Sequence, residues 1–385
     1  VKVRIHKRER LEIIVDSCSL GHKGLRGVEK LLDYALGRKP QVIGDYSVVM
    51  PIQLGTEVRQ RLFPEFLQAE LRMRRGDRGL DAFYKRHEDK IRIVETASSY
   101  AYKFYYAKGA AAVLLAHPEM HADVLAQANI LAERYAPYPG AELLITADDL
   151  AHYLAQITTR AHAQDRRMSE TLVRLHNYHN DSDVPPQVAH VDRRIAERKN
   201  LARHAAPFFQ NQSLSEQYLL QAMYTEPTLN AMVTANPAFT SFRRDIGERA
   251  IEDYLYDRRA EPDPGRVSLV ISEDRAARLS IHRLREQTHN TVFVISSWGL
   301  AVALKELKLI GKLNTVTNED LIGQVYERTL LTHSKRVESR RAQGKPVTSD
   351  DVLEPPIERK WAHRLVELVK YGEWSSQIPR QHATR

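Results

Sequence analysis

The stretch from Leu11 to Leu20, LEIIVDSCSL, constrains this chain more than any other: it is an apolar run that stops abruptly on an aspartate. Leu11, Ile13, Ile14 and Val15 are β-prone and almost continuous in apolarity, the pattern of a strand covered on both faces in a parallel sheet. Open α/β sheets bind ligands in the crevice outside the carboxyl ends of their strands, and Asp16 stands at such an end. The competing reading makes Asp16 a cap on the following loop.

At 385 residues the chain exceeds one ordinary domain and suits two. A formal charge of +8 and several arginine clusters point to a polyanionic partner, nucleic acid first and an acidic protein or membrane surface second. Cys18 is the single cysteine, which excludes an intrachain disulfide and a cysteine-built zinc site and points to a reducing, cytoplasmic setting. No apolar run approaches the roughly 20 residues that span a bilayer. The charged start VKVRIHKRER leads into no signal-peptide core, so the expectation is an unsecreted protein outside the membrane.

The glycine-punctuated segment Gly21 to Gly27 leaves the first strand and leads into helical spacing at Val28, Leu31, Leu32 and Ala35. Its GxxGxxG spacing, without a following GKS or GKT, is a poor match to a nucleotide-binding loop. Tyr46 to Ile52 predicts a second strand, and Leu54, Val58 and Leu62 a helix carrying Glu57. From about Pro64 to Asn236 helical periodicity takes over, with capping boxes at Thr146–Asp149 and Ser213–Glu216.

That helical stretch holds three further features. Tyr100, Tyr102, Phe104, Tyr105 and Tyr106, interleaved with Lys103 and Lys108, could stack single-stranded bases, but their i, i+3, i+4 spacing fits a helical core at least as well. His176, His179, Asp181 and Asp183 lead into a proline loop and lack the HExxH pattern of a zinc helix. Arg72, Arg74, Arg75 and Arg78, with later clusters at Arg166–Arg167 and Arg193–Arg203, are candidates for a phosphate-tracking wall; each alone is ordinarily a solvated face.

After Asn236 the α/β texture returns. Phe242 to Tyr256 reads as a helix with Glu248 near its start, and Arg266 to Asp274 (RVSLVISED) as a strand that again ends on acid. Thr291 to Ile295 reads as a further strand running into Ser296 and Ser297 and the helix Leu300 to Leu309. Clustered carboxylates repel, and they persist chiefly where a divalent cation or catalysis requires them. Beyond Lys312, Thr317–Asp320 caps another expected helix, His333 to Asp350 reads as a flexible basic arm, and Trp361 to Tyr371 as a docking helix.

These segments resemble the PIN domain nucleases. IIVDSCSL is similar to that family's first strand with its metal-binding aspartate, here Asp16, and MPIQLGTEV resembles the segment supplying Glu57. GERAIEDYL looks like the helix start carrying Glu248; VISEDRAARL resembles the late strand carrying Asp274, with Glu273 as the alternative acid in a shifted register. The resemblance covers about a third of the chain. Two departures stand out: a helical insertion far longer than the compact pattern, and serines, Ser296 and Ser297, where some members carry another acid.

The resemblance implies an α/β fold with a PIN-like parallel sheet flanked by helices and interrupted by a large, mostly α-helical insertion. The expected divisions are 1–63 and 240–311 for the core, 64–239 for the insertion and 312–385 for a helical, basic extension. It further implies a Mg²⁺- or Mn²⁺-dependent phosphodiesterase with Asp16, Glu57, Glu248 and Asp274 as ligands and catalytic acids. Ser17 and Ser296 would orient water or phosphate behind them. Arg72, Arg74, Arg75 and Arg78 would bind the substrate, RNA ahead of DNA, leaving room for a protein partner. The alternatives are a structure-specific or single-strand DNA nuclease, and a catalytically silent nucleic-acid-binding module on the same fold.

Overall fold

The computed structural model describes residues 2–4, 9–17, 24–38, 43–73, 80–136, 143–161, 188–237, 245–258, 266–274, 292–309, 338–345, 361–370 and 373–375, with single positions between them. The chain divides into two compact units. Val1–Val49, Arg75–Arg92 and Arg258–Arg385 form the first; Met50–Arg74 and Ile93–Asp257 form the second.

The first unit is α/β. Its strands are β1 (Lys2–Arg4), β2 (Glu9–Val15), β3 (Ile43–Pro51), β4 (Ile91–Val94), β5 (Arg266–Ile271), β6 (Val292–Ile295) and β7 (Glu373–Ser375). Five of them form one sheet in the order β4-β3-β2-β5-β6, while β1 and β7 make a separate antiparallel pair. β2 pairs in parallel with β3 on one side and β5 on the other, and β5 pairs in parallel with β6. This central position explains the apolar run: Leu11, Ile13, Ile14 and Val15 are all buried, and each such side chain contributes about 1.5–3 kcal/mol on leaving water.

The chain starts the sheet at β2, moves outward through β3 and β4, then returns to the other side of β2 at β5. Strand order therefore reverses between β2 and β5, the place where doubly wound sheets open a crevice at their carboxyl ends.

The helix Gly24–Arg38 links β2 to β3 and buries Val28, Leu31, Leu32 and Ala35, the positions of the helical spacing. The helix Ser297–Glu306 packs against it. A Cβ on Gly27 would meet Leu300 Cδ2 at 3.0 Å and Leu304 Cδ1 at 3.1 Å, so the small residue sets how closely the two helices approach. Helix 361–370 docks on the same unit, with Trp361 edge-on to Phe293 of β6 at 6.1 Å and His363 bonded to Glu306.

The second unit is helical, built from Ile52–Arg59, Pro64–Met73, Ala97–Ala116, His121–Tyr135, 147–161, Val188–Gln210, Leu214–Thr225, Pro227–Ala235 and most of Ile246–Arg258. Both predicted capping boxes form: Thr146 and Asp149 exchange bonds at 2.8 and 3.3 Å, Ser213 and Glu216 at 2.7 and 3.2 Å. The aromatic run belongs to the core. Tyr102 and Tyr106 are buried against Tyr224 and Phe239, and the Tyr106 hydroxyl donates to the Met223 carbonyl at 2.7 Å, which leaves neither ring exposed for bases.

Two local readings need correction. β4 lies in a stretch read as helical; its four residues are too few to display a period, and as an edge strand it is half-exposed throughout. Residues 338–342, inside the expected flexible arm, are helical. The expected helix after Thr317, the histidine run His176–Asp183, and Arg74, Arg75 and Arg78 lie outside the described residues. Among the described residues no helix is long and apolar enough to cross a membrane.

Candidate functional site at the carboxyl edge of the sheet

Asp16 follows the last residue of β2, and its backbone N–H extends the ladder to the Ile271 carbonyl of β5 at 2.9 Å. Its side chain is wholly buried. Burying a carboxylate costs several kcal/mol unless polar partners meet it, and here the Ser272 hydroxyl donates to Asp16 Oδ2 at 2.6 Å. Ser272 follows β5 and is equally buried. Its N–H donates to the Ile295 carbonyl of β6 at 3.1 Å, while its carbonyl accepts from Arg278 Nη1 at 2.9 Å.

Asp274 joins this edge through the same serine, its N–H donating to Ser272 Oγ at 3.1 Å. Its Oδ1 accepts from the Ala277 N–H at 2.9 Å, a side-chain cap on a turn. Ser296, which follows β6, caps the helix Ser297–Glu306 by accepting from the Gly299 N–H at 3.3 Å. Ser17 is half-buried beside Asp16, and Glu273 is half-buried beside an exposed Asp274. Two of the four predicted acids, Asp16 and Asp274, thus belong to the sheet unit and are joined by one serine hydroxyl.

The other two acids belong to the helical unit. Glu57, exposed on the helix Ile52–Arg59, reaches the first turn of the helix Ile246–Arg258, where its Oε1 accepts from the Gly247 N–H at 3.0 Å. A Cβ on Gly247 would stand 2.8 Å from Glu57 Oε2, so the glycine makes room for the carboxylate against the positive end of the helix. Glu248 is the next residue of that turn. Arg72 is exposed. Among the described residues no group of three or more His, Cys, Asp or Glu side chains is placed to hold a metal ion.

The arginine cluster on the helix Val188–Gln210 departs from the expected wall at Arg198. That side chain is buried, with Nε 2.7 Å from Asp253 Oδ1 and Nη2 2.9 Å from Glu252 Oε2. Asp253 also accepts from the Ser98 N–H at 2.7 Å. Burial pushes the Asp253 carboxyl up despite Arg198, and burial lowers the neighbouring Arg249 to about 10. Lys103 is likewise buried, over the ring of Phe63 at 4.2 Å and paired with Glu95; burial lowers its ammonium.

Sequence reasoning missed two groups in the sheet unit. Ser272 was legible as the first polar residue after the apolar run that ends β5, the counterpart of Asp16 after β2. Glu12 was legible as a charge set inside an apolar strand, four residues and hence two side-chain repeats before Asp16. No protein-family model, curated protein or solved structure among those compared matches this chain.

Proposed function

We propose that the sheet unit is a divalent-metal-dependent nuclease of the PIN type, hydrolysing phosphodiester bonds in single-stranded nucleic acid, RNA ahead of DNA. One observation carries the reading: the wholly buried Asp16 stands at the carboxyl end of β2, where strand order reverses against β5. Packing alone gives little reason for a carboxylate there. The donor chemistry fits the metal, since carboxylate oxygens suit Mg²⁺ and Mn²⁺, and Mg²⁺ commonly takes only one or two protein carboxylates alongside water and substrate phosphate.

In this reading Asp16 and Asp274 would hold the cation. Ser272 would orient the Asp16 carboxylate by donating to it and hold the Asp274 backbone by accepting from its N–H, while the Ala277 N–H orients the Asp274 carboxylate. Bound Mg²⁺ or Mn²⁺ supplies an activated water and neutralises charge on the phosphate. Arginines elsewhere on the basic chain contribute affinity to the phosphates rather than chemistry.

A silent nucleic-acid-binding module is the second reading, favoured by the structural duties of the acids: Asp274 caps a turn and Glu57 caps a helix. Incubation of single-stranded RNA and DNA with the protein in Mg²⁺, Mn²⁺ and chelator separates the two. Cleavage in metal and none in chelator is expected; binding without cleavage in any metal supports the silent module.

A further inference from the structure

A second polar cluster occupies the amino-terminal half of the sheet. Side chains alternate along a strand, so Arg10, Glu12, Ile14 and Asp16 project to one face of β2. Glu12 is wholly buried, and three guanidinium groups converge on it. Arg258 Nη1 lies 3.1 Å from Oε2, with Arg92 Nη2 and Arg266 Nη1 at 3.2 and 3.6 Å from Oε1. Ser268, the register partner of Glu12 on β5, donates its hydroxyl to Oε2 at 3.1 Å.

One row outward, Arg10 has Asp45 as its register partner on β3 and Arg266 on β5. Arg10 lies 4.0 Å from Asp45, which Lys90 also meets, at 3.0 Å. The two rows together carry five cationic side chains, Arg10, Lys90, Arg92, Arg258 and Arg266, and two carboxylates, Glu12 and Asp45.

Of the three guanidinium groups that reach Glu12, Arg258 and Arg266 are the more buried, at 10 and 17% exposed. Arg10, Lys90 and Arg92 are 45, 33 and 39% exposed, so the outer cations of the cluster are open to solvent while their carboxylate contacts order them. Guanidinium groups offer forked donors that match phosphate oxygens, and groups already ordered lose less entropy on binding.

We propose that Arg10, Lys90 and Arg92, ordered over the buried Glu12–Arg258–Arg266 cluster, form a patch that grips the phosphate backbone of single-stranded nucleic acid. The proposal rests on the nucleic-acid part of the function above and adds a binding surface to it. Along β2, Arg10 and Asp16 are about 20 Å apart at about 3.3 Å per residue, so the patch meets phosphates remote from the strand-end acids.

The test is oligonucleotide binding in chelator across a salt series, comparing the wild type with Arg10→Gln/Lys90→Gln/Arg92→Gln. This variant leaves Glu12 its two less exposed partners, Arg258 and Arg266. Binding should weaken, and the slope of log affinity against log salt should flatten by up to about 2, at about 0.7 for each lost phosphate contact. Wild-type affinity and slope in the variant would overturn the patch while leaving the nuclease reading intact; a wild type that binds no oligonucleotide in chelator would also overturn the patch, and one that binds none with or without Mg²⁺ would overturn both. Glu12→Gln gives an independent check, because it removes the inner anion and leaves the cations facing one another. Its melting temperature should rise with added inorganic phosphate more steeply than that of the wild type, and an equal response would count against the patch.

Discussion

Two wholly buried aspartates, one in each unit, meet opposite surroundings. Asp253 in the helical unit is met by the Arg198 guanidinium at 2.7 Å and by the Ser98 N–H, all deep among packed helices. Asp16 in the sheet unit is held by a serine hydroxyl at the open end of a strand, where the order of the sheet reverses. Burial by itself therefore does not distinguish a functional acid from a structural one. The place in the topology separates them in the proposed reading: Asp253 completes an ion pair inside a helical core, whereas Asp16 stands at a strand end where the order of the sheet reverses.

Breaking the helical pair should give the largest effect on stability. Arg198→Met strands Asp253 in the core, while Glu252 keeps Arg194 at 3.7 Å, and should cost about 3–5 kcal/mol, read as a lowered denaturation midpoint. The sign with pH follows from Asp253. Its carboxyl is already raised by burial, and without Arg198 it rises further, so the folded variant takes up a proton more readily than the unfolded chain. The penalty should be full at neutral pH and shrink on acidification; a penalty constant down to pH 4 would show that Asp253 is not the stranded charge.

Acid should act in the opposite sense on the sheet unit through His87. The Tyr46 hydroxyl meets His87 Nδ1 at 2.6 Å, and burial, with Arg86 nearby, lowers the imidazole below its usual 6.5. A depressed histidine contributes stability that is present above the unfolded value and lost as pH falls through the folded one. Stability should therefore decline below about pH 6.5, and His87→Gln should flatten that decline. Hydrogen exchange resolved by segment across this pH range would show which unit loosens first; the sheet unit is expected to.

The smallest change separates capping from chemistry at Glu57. Gly247→Ala pushes a methyl group toward the Glu57 carboxylate, the mobile end of a side chain, so the carboxylate shifts and the helix remains. Losing the contact costs about 1 kcal/mol and replacing a helical glycine returns about as much, giving a net change under about 1 kcal/mol. Lost cleavage at unchanged stability would assign Glu57 a part in the reaction; unchanged cleavage would leave it a helix cap.

The α/β layer was legible because its strands are short apolar runs bounded by charge or glycine, and because two of them end on acid. β2, β3, β5 and β6 fall within a few residues of their predicted places, as do the two capping boxes, whose signals are local. β4 was hidden by its brevity. The cation partners were hidden for a different reason: the Arg198–Asp253 pair closes over 55 residues and the Arg266–Glu12 pair over far more, and no pattern along one chain marks such contacts. An arginine that completes a buried ion pair and one that faces solvent read alike in sequence, and only packing tells them apart.

The most direct test is metal-dependent cleavage of single-stranded RNA by the wild type and by Asp16→Asn, each verified as folded and able to bind the oligonucleotide. The substitution keeps the volume and the contact with Ser272 while removing the charge that a Mg²⁺ or Mn²⁺ ligand needs. Cleavage by the wild type that disappears in Asp16→Asn, with oligonucleotide affinity retained, is the predicted result; equal cleavage by the two proteins would contradict the assignment of Asp16 to the reaction.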